Sequence, residues 1–178
     1  AGVIDLDAAR SYVVIKEPVS VRKNGSRSEI RPANEASIFC SISYDHPMLQ
    51  YQARSAGTSC EEFESEIASA RTFGFMKDVD KMRSMGLAKG GSLENAVIFD
   101  DDRVVNSEGM RWHDECVRHK ILDVIGDLFL FGKPVIGEVI AHKTGHALNH
   151  MLVREVLTNP ECYEITEEPE ESLEAIKY

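Results

Sequence analysis

The sequence lacks several features that would each identify a class of protein. No apolar run approaches the ~18 residues that a membrane-spanning helix needs, and the best candidate, residues 121–131, is interrupted by Asp123, Gly126 and Asp127. Basic residues are in deficit, since 20 Lys and Arg stand against 30 Asp and Glu for a net charge of −10. This balance disfavours nucleic-acid binding as the main function. The N-terminal residues also lack the basic and apolar regions of a secretory signal.

Cysteine pairs at metal-binding or redox spacing are also missing. The cysteines stand at 40, 60, 116 and 162, and they form neither a C-x-x-C motif nor a zinc-finger pattern. Without a secretory signal, this usage predicts reduced thiols and a cytoplasmic location. A nucleophilic role for Cys116 stays open, but a semi-buried structural thiol is the favoured interpretation.

The composition is that of a folded protein with one unusual segment. A chain of 178 residues with 43% apolar side chains suits one domain, or at most two small ones, with a real core. The negative charge is concentrated in residues 159–178, which hold seven Glu and a single Lys. We interpret this segment as an acidic, disordered tail. An acidic docking or regulatory segment is the alternative.

The order of sequence patterns predicts an α+β fold. The first 45 residues read as strands of an antiparallel meander, and a capping box at Ser59 begins a helix that continues to about residue 70. Residues 71–76 are predicted as a turn. A long helix over about 114–130, a strand over 135–141 and a helix from the cap Thr144 to about 157 follow. The expected architecture is a two-layer α/β sandwich, a small mixed sheet packed on two main helices.

One face of the long helix carries a chemically informative set. His119, Asp123 and Asp127 recur at i, i+4 and i+8, away from the apolar stripe of the same helix. An imidazole and a carboxylate one turn apart can bind the same Zn²⁺ ion. The next acid, Asp127, can orient a histidine. The alternative is a solvated helix face with an ordinary His–Asp pair.

Three histidines near the last helix have the same spacing, but they do not predict a three-histidine site. His142 precedes the helix, because Gly145 and the expected cap Thr144 separate it from the helix face. His146 is predicted at the helix N-terminus, where the helix dipole and carboxylates influence its protonation, with a structural histidine as the alternative. His150 is interpreted as a surface or packing residue. Because a catalytic zinc normally has three protein ligands, His119 and Asp123 predict an incomplete site.

Four blocks resemble a known family. They are Arg-Thr-Phe-Gly-Phe-Met at 71–76, Gly-Gly-Ser at 90–92, Val-Arg-His-Lys-Ile-Leu-Asp-Val-Ile-Gly-Asp-Leu at 117–128 and Lys-Thr-Gly-His-Ala-Leu-Asn at 143–149. In order and spacing they are similar to the second half of the UDP-3-O-acyl-N-acetylglucosamine deacetylases, zinc amidases of lipid A biosynthesis in Gram-negative bacteria. Tyr-Asp-His-Pro at 44–47 resembles the family more loosely.

The resemblance implies two similar halves with the active site between them. Residues 1–158 would be the second, C-terminal half, including a βαβ-type insert at about 74–106, and the acidic tail would follow. The family's first half supplies a third zinc ligand, a histidine, and an adjacent glutamate as general base. Neither motif is found in this sequence, so the isolated chain is expected to be inactive.

The resemblance also assigns roles to the residues of the helix set. His119 and Asp123 would bind the Zn²⁺ cofactor, and Thr72 would help to stabilise the oxyanion. His146, held protonated by Asp127, would act as general acid.

Contacts to the substrate, a UDP-3-O-acyl-glucosamine, follow from the same resemblance. The diphosphate would contact Lys120 and Lys143, the uracil would stack on Tyr44, and the substrate site would be lined by Phe73 and Phe75. The fatty acyl chain would run through the insert between walls and a bend formed by Val79, Ala88, Ala96, Ile98, Gly91 and Ser92. The alternatives are surface lysines, core aromatics and local packing.

Two functions from different classes therefore compete. The first is zinc-dependent deacetylation, in which this chain supplies half of the active site and needs the N-terminal half of the enzyme as partner. The second is a non-catalytic fragment that binds a nucleotide sugar and its acyl chain. Neither involves nucleic acid, and the acyl chain would allow peripheral membrane contact.

Overall fold

A computed structural model describes residues 2, 4, 9–86 and 90–167, with the side chains of 80–83 excepted. The strands of the described part, β1 to β10 in chain order, are Tyr12–Ile15, Val19–Lys23, Ser26–Arg31, Ser37–Ile42, Gln52–Gly57, Thr72–Phe75, Ala96–Phe99, Val135–Ile136, Glu138–His142 and Tyr163–Thr166. The helices α1 to α4 are Cys60–Glu62, Met76–Ser84, Glu115–Leu128 and His146–Leu157. A π-helical turn, Phe63–Ile67, extends α1, and a 3-10 turn, Phe129–Phe131, extends α3.

The main layer is a mixed sheet of five strands in the order β2-β3-β9-β4-β5. Strands β4 and β9 are parallel, while the other neighbouring pairs are antiparallel. Helix α3 packs over β4 and β5, helix α4 packs over β2 and β3, and the two helices contact each other. The predicted α+β class, a small mixed sheet on two main helices, is confirmed.

The apolar stripe of α3 decides which face of this helix meets the sheet. Val117, Ile121 and Val124 are all buried, and full burial of such a side chain contributes about 1.5–3 kcal/mol. Since the stripe faces the core, the acidic and histidine positions of α3 are presented on another side of the helix. Among the described residues, no helix combines the length and the hydropathy that crossing a bilayer requires.

The predicted N-terminal meander is wrong in its pairing. Strand β9 lies between β3 and β4, and β1 leaves this sheet for a second one of order β10-β1-β8. Val139 and Ala141 of β9 are buried, as expected of a central strand that needs a partner on both edges. Strand β5 was not predicted, because Gln-Ala-Arg-Ser-Ala-Gly has few of the β-branched and aromatic residues that mark strands.

The predicted disordered tail begins too early. Residues Tyr163–Thr166 form β10, which pairs antiparallel with β1 from Tyr12↔Thr166 to Ile15↔Tyr163. Cys162 is buried beside it and donates its S–H to the Val156 carbonyl. A backbone ladder leaves acidic side chains free to face solvent, so the acidic composition did not exclude a strand. The rest of the predicted tail, 168–178, lies outside the described residues.

The βαβ-type insert is present. Strands β6 and β7 are parallel, with register Thr72↔Ala96 to Phe75↔Phe99, and α2 connects them. The predicted turn at 71–76 is therefore wrong, because Thr72–Phe75 is extended. Its single glycine suggested a turn, but the flanking phenylalanines have the strand preference of aromatic residues.

Gly137 separates β8 from β9, and at this position the backbone passes close to residues of β1 and β3. A Cβ at this position would lie 2.9 Å from the Arg31 carbonyl oxygen and 2.9 Å from Ile15 Cγ1. We therefore expect Gly137→Ala to lower the free energy of unfolding by about 1–3 kcal/mol, since backbone cannot yield as a flexible side chain can. Urea denaturation followed by circular dichroism measures this change.

Gly126, within α3, is the matched control. A Cβ there meets nothing within 4 Å, and alanine is favoured over glycine in a helix by about 1 kcal/mol. Gly126→Ala should therefore raise the free energy of unfolding. A Gly137→Ala protein as stable as the parent would contradict the close approach of Gly137 to Arg31 and Ile15.

Candidate metal and catalytic site

Helix α3 brings the two predicted metal ligands together. His119 Nε2 and Asp123 Oδ1 lie 3.3 Å apart, and their side chains are only 16% and 12% exposed. Two ligand atoms of a tetrahedral zinc site with bonds of about 2.0–2.1 Å are separated by about 3.3 Å. One nitrogen and one oxygen at this separation therefore fit two corners of a zinc site.

Contacts outside the pair orient both side chains. His119 Nδ1 donates to the Ala70 carbonyl at 3.0 Å, because a carbonyl oxygen can only accept. In the neutral ring, Nε2 then carries the lone pair that a metal needs. The second carboxylate oxygen of Asp123 accepts from Lys120 Nζ at 2.6 Å. The predicted diphosphate contact Lys120 is thus engaged with a predicted zinc ligand.

Asp127, one turn further along α3, connects this pair to α4. Its carboxylate accepts from His146 Nδ1 at 2.9 Å and from Asn149 Nδ2 at 2.8 Å. The other ring nitrogen of His146, Nε2, lies 3.9 Å from Asp123 Oδ1. The structure therefore places the predicted general acid between its predicted carboxylate partner and the metal pair.

His150 is a member of this cluster that sequence reasoning missed. Its Nε2 lies 3.0 Å from Asp127 Oδ1. The residue is exposed, as predicted for a surface side chain, but this contact was not predicted. Asp127, His146 and His150 offer ligand atoms within 4.8 Å of one another. The i, i+4 spacing of the two histidines on α4 was the available signal. His142 lies apart on β9 and bonds Ser41 Oγ through Nδ1 at 2.9 Å, so the 142, 146 and 150 positions do not form one site.

The start of α4 differs from the predicted cap. Gly145 is the N-cap residue and offers no side chain. Thr144 is buried, and its hydroxyl donates to the Asn149 side-chain oxygen. That bond orients the amide whose nitrogen donates to Asp127. Lys143, the second predicted diphosphate contact, is exposed beside it with a positive φ of 51°.

The predicted aromatic contacts form one cluster. The Tyr44 ring meets Phe73 edge-on at 5.4 Å and Phe75 at 5.7 Å between centroids. Burial raises the pKa of the Tyr44 hydroxyl. Phe73 also lies 5.6 Å from Lys120 Nζ, which places the cluster beside the α3 site. Thr72, directly before Phe73, is exposed. Packing within this cluster, the alternative considered for Tyr44, is therefore present.

The residues expected to line an acyl passage are divided among several environments. Ala96 is buried, Val79 and Ile98 are half-buried, and Gly91 and Ser92 are exposed. Ala88 lies outside the described residues. Ser92 belongs to a turn in which its N–H donates to Asn95 Oδ1 at 3.0 Å.

A cavity of 140 Å³ at the edge of the insert contains none of these predicted passage residues. It is lined by Asp45, His46, Phe75, Lys77, Phe99, Asp100 and Asp101. With its three carboxylates, this cavity does not have the apolar lining that a fatty acyl chain prefers.

The structural interpretation of Cys116 is supported. The residue is fully buried, and that burial raises the pKa of its thiol to about 12. Burial likewise raises the pKa of Cys40 to about 12. A thiolate is the nucleophilic form of cysteine, so neither side chain is suited to nucleophilic catalysis.

Residues 1–158 match the family model described as UDP-3-O-acyl N-acetylglycosamine deacetylase. The chain is 48% identical over 176 residues to the UDP-3-O-acyl-N-acetylglucosamine deacetylase of Myxococcus xanthus (strain DK1622), covering 99% of this chain and 56% of that protein. It is 47% identical over 160 residues to the protein of the same name from Syntrophus aciditrophicus (strain SB), covering 90% and 51%. The chain thus spans about half the length of the curated relatives it matches.

Proposed function

Because the chain belongs to the UDP-3-O-acyl N-acetylglycosamine deacetylase family, we propose that it supplies one half of a zinc-dependent deacetylase active site in lipid A biosynthesis. The observation that carries this proposal is the position of the His119–Asp123 pair beside the Asp127–His146 pair. A metal-ligand pair and a proton donor are the two parts that metal-assisted amide hydrolysis needs. The matching relatives are about twice as long, which leaves room for a complementary half.

His119 and Asp123 are the residues that would hold the metal ion. Their ligand atoms have the separation and the orientation described above. A bound Zn²⁺ ion would lower the pKa of a coordinated water to about 7, so that hydroxide is present at neutral pH. A third protein ligand and the general base are expected from the complementary half.

Polar side chains of this chain would stabilise the negative charge of the transition state and supply the proton to the leaving group. Thr72, exposed at the start of β6, would donate to the oxygen of the acetamido carbonyl as negative charge develops there. His146 donates from Nδ1 to Asp127, so a proton on Nε2 is directed towards the metal pair. Its transfer to the leaving nitrogen would release the amine and acetate when the C–N bond breaks.

The remaining predicted residues would bind the rest of the substrate. Exposed Lys143 suits the diphosphate, and Lys120 would balance the negative charge of Asp123. The Tyr44, Phe73 and Phe75 cluster offers aromatic faces beside the same site. We propose the βαβ insert as the contact for the acyl chain, which would also bring the chain to a membrane surface. A cytoplasmic location is consistent with the four free thiols.

Complementation tests this function. The complete chain is mixed with a separately expressed first half, and acetate release from UDP-3-O-acyl-N-acetylglucosamine is measured. We expect no turnover from either half alone, turnover from the mixture, loss of that turnover with EDTA and recovery with Zn²⁺. Turnover that resists EDTA would contradict the zinc mechanism. Calorimetric binding of UDP to the chain, with no turnover in the mixture, would favour the non-catalytic binding fragment.

A further inference from the structure

The peptide group between Ala70 and Arg71 is held at both edges by helix α3. Its N–H donates to Glu115 Oε1 at 3.0 Å, and its carbonyl accepts from His119 Nδ1 at 3.0 Å. Glu115 and His119 are one helical turn apart, so both lie on the same side of α3. In a planar trans peptide the N–H and the C=O point in opposite directions. The two contacts therefore define one orientation of this peptide group.

Glu115 is a buried carboxylate that accepts several hydrogen bonds. It is fully buried, and it also accepts from Arg71 Nε at 2.9 Å and from the Arg111 N–H at 2.6 Å. Burial by itself would raise the pKa of Glu115, but the hydrogen bonds from Arg71 and from the two backbone N–H groups lower it. The group is therefore a charged acceptor at neutral pH.

The guanidinium of Arg71 also makes hydrogen bonds to groups other than Glu115. It donates to Glu108 Oε1 at 2.6 Å and to the Gly109 carbonyl at 2.8 Å. A buried ion pair is by itself weak support for a stabilising role, because desolvation offsets much of the attraction. The side-chain ion pair between Arg71 and Glu115 could form without the hydrogen bond from the Arg71 backbone N–H to Glu115. This additional hydrogen bond fixes the peptide group whose carbonyl accepts from His119.

We propose that Glu115 is a positioning residue for His119. Through the 70–71 peptide it keeps the Ala70 carbonyl aimed at Nδ1, and so holds the imidazole in the tautomer with Nε2 free for a metal ion. A charged acceptor on the N–H also polarises the amide and strengthens the bond that its carbonyl makes. The inference deepens the proposed function, since it rests on His119 being a metal ligand.

Nuclear magnetic resonance of the complete, metal-free chain with ¹⁵N-labelled histidine tests the proposal directly. At a pH where the ring is neutral, we expect His119 to show the Nδ1–H tautomer with slow exchange of that proton. In Glu115→Gln we expect faster exchange and a mixture of tautomers. Zn²⁺ affinity should fall about 10–100-fold, the usual effect of removing a partner that orients a metal-binding histidine.

Asp114→Asn is the matched control, because it alters a neighbouring buried carboxylate that contacts Arg118 and Arg54 instead of the 70–71 peptide. It should reduce stability while leaving the His119 tautomer and Zn²⁺ affinity as in the parent. Arg71→Lys keeps the backbone N–H and Glu115, so it should also retain the tautomer. This variant serves if Glu115→Gln does not fold, and a changed tautomer in it would contradict the peptide route.

Several results would overturn the positioning role. They are a parent protein with His119 in the Nε2–H tautomer, an unchanged tautomer and affinity in Glu115→Gln, or an equal loss of affinity in Asp114→Asn. The tautomer is measured without metal, so it decides the role of Glu115 separately. Failure of the parent chain to bind Zn²⁺ through His119 would instead overturn the proposed function.

Discussion

Replacing His119 and Asp123 together by alanine should reduce deacetylation by the complemented enzyme at least ~10³-fold, because the metal-activated nucleophile is lost with its ligands. The two side chains supply both proposed ligand atoms of this chain, 3.3 Å apart. Each single substitution should already lower the zinc content of the purified mixture. Acetate release and metal content, measured on the same preparation, check the result.

A matched pair of changes on the surface shows whether the effect is specific. His113 and Asp102 are exposed, and both lie outside the proposed site. His113→Ala with Asp102→Ala removes the same two side-chain types and should leave zinc content and turnover unchanged. If the His119→Ala, Asp123→Ala protein retains EDTA-sensitive turnover, the proposed metal pair is wrong.

Asp127→Asn should lower kcat of the complemented enzyme by about 10²–10⁴-fold, the range typical of losing general acid–base catalysis. The substitution keeps the size of the side chain but removes the negative charge of the carboxylate. That carboxylate accepts hydrogen bonds from His146, Asn149 and His150. The new amide would present only one acceptor oxygen to these donors, so the contact that orients His146 would be weakened. Because Asp127 is not a proposed ligand, zinc content should stay at the parent level. Steady-state kinetics with metal analysis measure both quantities.

His150→Ala is the companion variant for this prediction. It removes a single donor from Asp127 and leaves the His146 contact in place, so kcat should change less than about 10-fold, well below the effect of losing general acid–base catalysis. An Asp127→Asn enzyme with kcat within 10-fold of the parent would exclude the general-acid arrangement. Loss of zinc in that variant would mean that Asp127 acts on the metal site itself.

The local part of the site was predictable, because helix geometry depends on neighbours in sequence. The i, i+4 spacing correctly predicted that His119 and Asp123 meet. The contact of Asp127 with the histidine at the start of α4 was implied by the family resemblance, and the structure contains it. The contact of His150 was not predictable from the spacing, because the carboxylate it meets is 23 positions away on another helix. These roles in catalysis stay predictions until the variants are measured.

The pairing of strands was less predictable. The strand pattern of the first 45 residues correctly predicted a strand at Ser37–Ile42, yet the neighbours of this strand in the sheet are β9 and β5. Hydrophobic alternation specifies which face of a strand is buried, but it does not specify which strand lies beside it. The acidic composition of residues 159–178 predicts a tail, yet Tyr163–Thr166 completes a sheet with β1, because net charge does not determine whether a backbone pairs.

The sequence by itself determined the helix that carries an imidazole and two carboxylates on one side, the α+β class and the family. Only the tertiary structure decided how that imidazole is held. The 70–71 peptide reaches Glu115 and His119 across 44 and 49 positions of sequence. Contacts of this range depend on how the sheet and helices pack, because no periodicity along the chain encodes which distant backbone group will lie against a helix.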